Sequence, residues 1–168
     1  MIHVCSLSRL NETITATGAR HVVTLLGIED HVPLPSQIAR DAYLRLHMHD
    51  IVDPMDGQIH PGQEHVERLI DFVGRWPRKT PLAIHCYAGI SRSTAAAFTT
   101  VCALNPTRNE ADVAQALRRA SPTAQPNARI VRIADQLLGR NGRMVEAVAT
   151  IDPSVPALQA EPFRLDLE

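Results

Sequence analysis

At 168 residues, 45% of them apolar, the chain is long enough for one domain with a full core. Seventeen basic against 18 acidic residues leave a net charge of −1, so no global field draws it to nucleic acid or an anionic membrane, and affinity for a charged ligand has to come from a local site. No apolar run approaches the ~20 residues of a membrane span, and Met1-Ile2-His3-Val4-Cys5-Ser6-Leu7 lacks the basic flank and long apolar stretch of a secretion signal.

In chain order, Ile2 to Ser6 fits a short strand, and Ser8 is placed to cap a helix through Ala16 that ends at Gly18. His21 to Gly27 is β-branched and apolar, a buried strand. Residues 28–41, with Pro33 and Pro35, read as a loop with one helical turn at most. Tyr43 to His49 alternates Leu44, Leu46 and Met48 with Arg45, His47 and His49, a strand with one buried face. Asp50 to Pro61 is a polar loop. Pro61 opens a helix whose Val66, Leu69, Ile70 and Val73 follow helical spacing. Pro81 to Ile84 is a buried strand, and a helix follows from about Ser93 to Leu104. Asn109 caps Glu110 to Ala120, and Pro126-Asn127 opens a helix ending near Gly139. Asn141-Gly142 is a turn before a last short helix, Met144 to Ile151. The expected class is α/β, a central mixed sheet of four or five strands flanked by helices in a single domain over residues 1–150. Pro153, Pro156 and Pro162 predict a loosely ordered C-terminal tail over residues 151–168.

The chemistry concentrates in His85-Cys86-Tyr87-Ala88-Gly89-Ile90-Ser91-Arg92-Ser93, between a predicted strand and a predicted helix. A helix N-terminus fed by a strand is where an anion is best bound. Backbone N–H groups from Tyr87, Ala88, Gly89, Ile90, Ser91 and Arg92 can converge on one tetrahedral oxyanion if the loop curls into a nest. Gly89 permits the tight turn, and Arg92 offers a planar fork to two oxygens, which Lys cannot match. The same donors favour a thiolate at Cys86, a nucleophile toward phosphorus. Ser93 is placed to donate to the sulfur and His85 to orient the loop. Tyr87, Ala88, Ile90 and Ser91 add no Lys or Arg, which argues against a highly phosphorylated substrate.

His85-Cys86-x-x-Gly89-x-x-Arg92-Ser93 resembles the signature of cysteine-based protein tyrosine phosphatases, in the smaller dual-specificity-like form, and by overall pattern a bacterial member. The resemblance covers about residues 1–140. It implies a phosphocysteine intermediate, no metal and no cofactor. Asp50, 36 residues before Cys86, looks like that family's general acid. Ser121-Pro122-x-Ala124-x-Pro126-Asn127 is similar to the segment that packs behind the loop, with Asn127 either holding the loop or capping the next helix. No Trp-Pro-Asp tripeptide marks the acid, so Asp53 and Asp56 stay open beside Asp50. No aromatic segment for clamping a phosphotyrosine ring is evident.

The expected partner is a phosphorylated protein or a small phosphomonoester. Inositol phosphates, lipids and nucleotides are the alternative within the class, and a non-catalytic phosphate-binding module the alternative outside it. A sulfurtransferase or arsenate reductase would also place a Cys in an anion-binding loop, but the first has no need of Asp50 and the second usually needs nearby resolving cysteines. Cys5, Cys86 and Cys102 form no C-x-x-C pair, which fits a reducing cytoplasm, with Cys5 and Cys102 as core residues or as disulfide partners of Cys86 in an oxidised form. His47, His49, His60 and His65 lack a recognised ligand spacing and read as surface or loop residues; Arg118, Arg119, Arg129 and Arg132 read as solvated helix faces.

Overall fold

The computed structural model describes residues 1–151 and 153–167. Among them the chain forms β1 (Ile2–Ser6), a 3-10 turn (Leu7–Arg9), α1 (Leu10–Thr17), β2 (His21–Leu26), a second 3-10 turn (Arg40–Ala42), β3 (Tyr43–His47) and α2 (Gln63–Arg75). Then come β4 (Leu82–Cys86), α3 (Arg92–Leu104), α4 (Glu110–Ala120), α5 (Ala128–Leu137), α6 (Arg143–Ala149) and β5 (Phe163–Leu165). The strands form one sheet in the order β3-β2-β4-β1-β5. The first four are parallel, and β5 runs antiparallel on β1, so the sheet is mixed as the sequence predicts.

Three elements depart from expectation. The first α-helix starts at Leu10 because Leu7–Arg9 takes the tighter 3-10 form, and Ser8 bonds Gln159 rather than capping it. β3 stops at His47, opposite Leu26, the last residue of β2. Past that point Met48 N–H still reaches Leu26 O (3.0 Å), while His49 N–H turns to Ile59 O (2.8 Å). The segment expected as a loose tail ends in β5, with Phe163 and Leu165 buried and Arg164 exposed. That three-residue alternation is masked in the sequence by the prolines around it; Asp152 and Glu168 lie outside the described residues.

Helix α3 is buried from Arg92 to Cys102. Its Ala95-Ala96-Ala97 run lets it lie close to the sheet on one side and to α2, α4 and α5 on others. A helix so enclosed must be apolar or small on every face. Phe98, Val101, Ile84, Val4, Leu69, Val73 and Ile130 meet there in the main core. The opposite sheet face carries a smaller cluster of Cys5, Leu10, Ile14, Val22, Ala83 and Ile38.

A buried ionic network ties the C-terminal helices together. Arg140 donates to Glu110 Oε1 (2.8 Å) and to Cys102 O and Asn105 O (2.6 and 3.3 Å), meeting carbonyls that the end of α3 leaves free. Arg143 Nε donates to the same carboxylate at 3.2 Å. Burial opposes the charge of Glu110, but hydrogen bonds from Arg143 and Arg140 outweigh it and hold the carboxyl below its ordinary value. Arg118 is not a solvated helix residue: it donates to the carbonyls of Ser121, Pro122 and Ile151.

Candidate active site

Cys86 is the last residue of β4 and Arg92 the first of α3, so the loop between them bridges the centre of the sheet and the most buried helix. Its carbonyls are drawn outward. Tyr87 O accepts from Leu7 N–H (3.1 Å) and Ala88 O from Ala160 N–H (2.9 Å). Ile90 O accepts from Gln125 N–H (3.0 Å), and Ser91 O from Asn127 N–H (3.3 Å) and Ala95 N–H (3.0 Å). Thr94 Oγ1 donates to both Ile90 O and Ser91 O. In a planar trans peptide the following N–H points the opposite way. The amides of Ala88, Gly89, Ser91 and Arg92 therefore face the inside of the curl, the arrangement an anion nest requires.

Gly89 is fixed twice over. Its φ is +77°, and a Cβ there would stand 2.9 Å from both Cys5 C and Ser6 N, the backbone of β1. Cys86, 2% exposed, places Sγ 3.1 Å from Ser93 Oγ. His85 is fully buried, with Nε2 2.7 Å from Thr24 Oγ1. Burial pushes its imidazolium down to about 4, so the ring is neutral at pH 7. Arg92, 7% exposed, donates through Nη1 to Met48 O (2.8 Å). Its Nε is buried with no hydrogen-bond partner among the described residues and lies 3.8 Å from Asp50 Oδ2.

Asp50 is the acidic residue that the fold brings to this loop. Oδ1 accepts from Ser91 Oγ (2.7 Å) and Asn127 Nδ2 (2.9 Å). Asp53 and Asp56 are exposed, and neither makes a side-chain hydrogen bond among the described residues. Asn127 joins the roles anticipated for it. Oδ1 caps α5 by accepting from Arg129 N–H and Ile130 N–H, the main-chain N–H reaches Ser91 O, and Nδ2 holds Asp50 and Ile51 O (3.3 Å). Arg129, expected on a solvated face, donates to Pro61 O (2.6 Å) and Val52 O (3.1 Å), clamping both ends of the Asp50–Pro61 loop. Neither this clamp nor the Leu7 and Ala160 contacts leaves a mark in the sequence, since their partners are backbone groups remote along the chain.

The other thiols stand apart. Cys5 and Cys102 are buried, and burial raises them to about 11 and about 12, so both are protonated. On the β1–β4 ladder Cys5 is level with His85 and Ser6 with Cys86, which puts the Cys5 and Cys86 side chains on opposite sheet faces. Each of the three cysteines is free. His49 is held by Ile59 N–H at Nδ1 and by Glu29 at Nε2. Among the described residues no three His, Cys, Asp or Glu side chains converge as metal ligands, and no helix is long and apolar enough to cross a membrane.

No protein-family model matches the sequence, and no curated protein does. Solved structures match over most of the chain. The crystal structure of DUSP15 shares 19% identity and covers 90% of each chain with a TM-score of 0.65. The PTP-2 phosphatase of Cydia pomonella shares 17%, covering 80% of this chain and 84% of that one at 0.63. PTPMT1 in complex with PI(5)P shares 12%, covering 89% and 94% at 0.62. The chain thus has the fold of the cysteine-based, dual-specificity-like phosphatases.

Proposed function

We propose that the protein is a cysteine-dependent phosphatase that hydrolyses phosphomonoesters, with a phosphotyrosine-containing protein as its main substrate class. The reading is carried by the curled Cys86–Arg92 loop, whose outward-bonded carbonyls turn the following amides inward. Cys86 Sγ attacks phosphorus as the thiolate, forming the S–P bond while the ester P–O bond breaks. The inward amides and Arg92, whose Nε has no hydrogen-bond partner among the described residues, stabilise charge on the equatorial oxygens. Asp50 passes its proton to the departing oxygen, then takes one from the water that attacks the phosphocysteine. Inorganic phosphate leaves, and Ser93 O–H stabilises the departing sulfur from 3.1 Å.

An aryl phosphate is favoured by the exposed apolar side chains of the two loops that carry the chemistry, Tyr87 on one and Val52 and Met55 on the other. Arg92 is the one basic residue of the phosphate loop, and Arg129, at the Asp50–Pro61 loop, is spent on carbonyls, which disfavours a densely charged substrate. A phosphoinositide is the second reading, supported by the fold shared with PTPMT1 in its PI(5)P complex.

Turnover of 4-nitrophenyl phosphate tests the class. Cys86→Ser is expected to abolish it while retaining binding of a phosphotyrosine peptide. Unchanged turnover would remove Cys86 as nucleophile. Comparing kcat/KM over phosphotyrosine peptides, phosphoinositides and nucleotides decides the substrate class, with peptides expected to lead.

A further inference from the structure

The C-terminal segment returns along the loop that holds Cys86. Arg118 fixes its departure from α6 by donating to Ile151 O. Val155 N–H then reaches Pro122 O (3.0 Å), in the segment that also supplies Gln125 N–H to Ile90 O. Gln159 accepts from Ser8 Oγ (3.2 Å), Glu161 pairs with Arg9 (3.3 Å), and Phe163–Leu165 join β1. Between these anchors lies Ala160, 1% exposed, with its N–H on Ala88 O.

That bond falls on a peptide with little else to hold it. The Ser91–Arg92 peptide is held by Asn127, Ala95 and Thr94, and the Ile90–Ser91 peptide by Gln125 and Thr94. Among the described residues Ala88 O has Ala160 alone. The peptide precedes Gly89, the residue whose φ is least restrained by its own side chain. Flipping it exchanges the carbonyl for the N–H on the inner side. The loop would then present an acceptor where an oxyanion needs a donor.

We propose that the C-terminal segment is a working part of the phosphate site, with Ala160 a positioning residue. Its N–H draws Ala88 O outward and so keeps Gly89 N–H turned toward the phosphoryl group. The proposal rests on the phosphatase reading above and adds to it an element outside the signature motif.

The test removes the Ala160 N–H. Ala160→Pro does so in the whole 168-residue chain. Because proline also restrains the backbone, a second variant replaces Ala160 by lactate through ligation of a synthetic C-terminal peptide, exchanging only N–H for oxygen. Orthovanadate inhibition of 4-nitrophenyl phosphate hydrolysis is expected to weaken about tenfold, the size of one well-made hydrogen bond to a charged group. kcat/KM is expected to fall by the same factor for phenyl phosphate as for 4-nitrophenyl phosphate, since the amide acts on the phosphoryl oxygens and not on the leaving group. A lower Tm with vanadate affinity unchanged in the lactate variant would overturn the proposal, as would a loss that grows with the basicity of the leaving group. Failure of the wild-type protein to bind vanadate would instead remove the phosphatase reading, and this proposal with it.

Discussion

Asp50 and Asp53 share one loop, yet the fold treats them differently. Asp50 is held against Ser91, Asn127 and the edge of Arg92, whereas Asp53 is exposed. A proton donor has to be held where the leaving oxygen will be, so the two carboxyls are separable by leaving group. Asp50→Asn is expected to slow phenyl phosphate about 10²-fold and 4-nitrophenyl phosphate much less, because nitrophenoxide leaves with little help. Asp53→Asn is expected to leave both rates unchanged, and the opposite pattern in steady-state kinetics would move the acid to Asp53. Cys86, Gly89, Arg92 and Ser93 were legible as candidates because the four share one contiguous turn with a fixed spacing, whereas the contacts of Arg92 with Met48 and of Gly89 with β1 were not. Asp50 was legible by its place after β3, but its contacts with Ser91 and Asn127 were not, since they join positions 41 and 77 residues apart.

At the scale of elements, α3 sets the geometry. Its first residue is Arg92, and its far end is closed by Arg140, whose carboxylate partner belongs to α4. Glu110 is 4% exposed and receives two guanidinium groups, so truncating it strands a buried cation. Glu110→Ala is expected to cost about 3–5 kcal/mol in urea unfolding. A loss below about 1 kcal/mol would mean that the network contributes no more than a surface pair. The helices themselves were readable from capping residues and apolar spacing: Asn109 and Asn127 cap α4 and α5 by their side chains. The ionic network was not readable, because Glu110, Arg140 and Arg143 fit a solvated pattern locally and meet only in three dimensions. Strand β5 escaped because three residues carry too little periodicity to stand out among prolines.

For the molecule as a whole, acid is the expected weak point. In the unfolded chain His85 titrates near its ordinary 6.5, and in the folded protein burial holds it to about 4. Between those values the unfolded state carries the extra proton, so stability rises with pH, is fully present above about 6.5 and is lost as pH falls toward 4. His85 alone accounts for about 3 kcal/mol across that window. His3, His21, His47 and His65, lowered chiefly by burial, act in the same direction. Urea midpoints at pH 7.5 and 4.5 are expected to diverge in the wild type and to converge partly in His85→Gln; an equal gap in both would assign the acid sensitivity elsewhere. The order of strands has a consequence in time. β1 lies between β4 and β5 and takes one of its neighbours from residues 163–165, far along the chain. Ala88 likewise waits for Ala160. The first closure spans almost the whole of these residues and the second less than half of them, the kind of long-range pairing that forms late. On a ribosome Cys86 emerges well before Ala160, so the loop around its sulfur gains its last carbonyl partner only once residue 160 has cleared the exit tunnel.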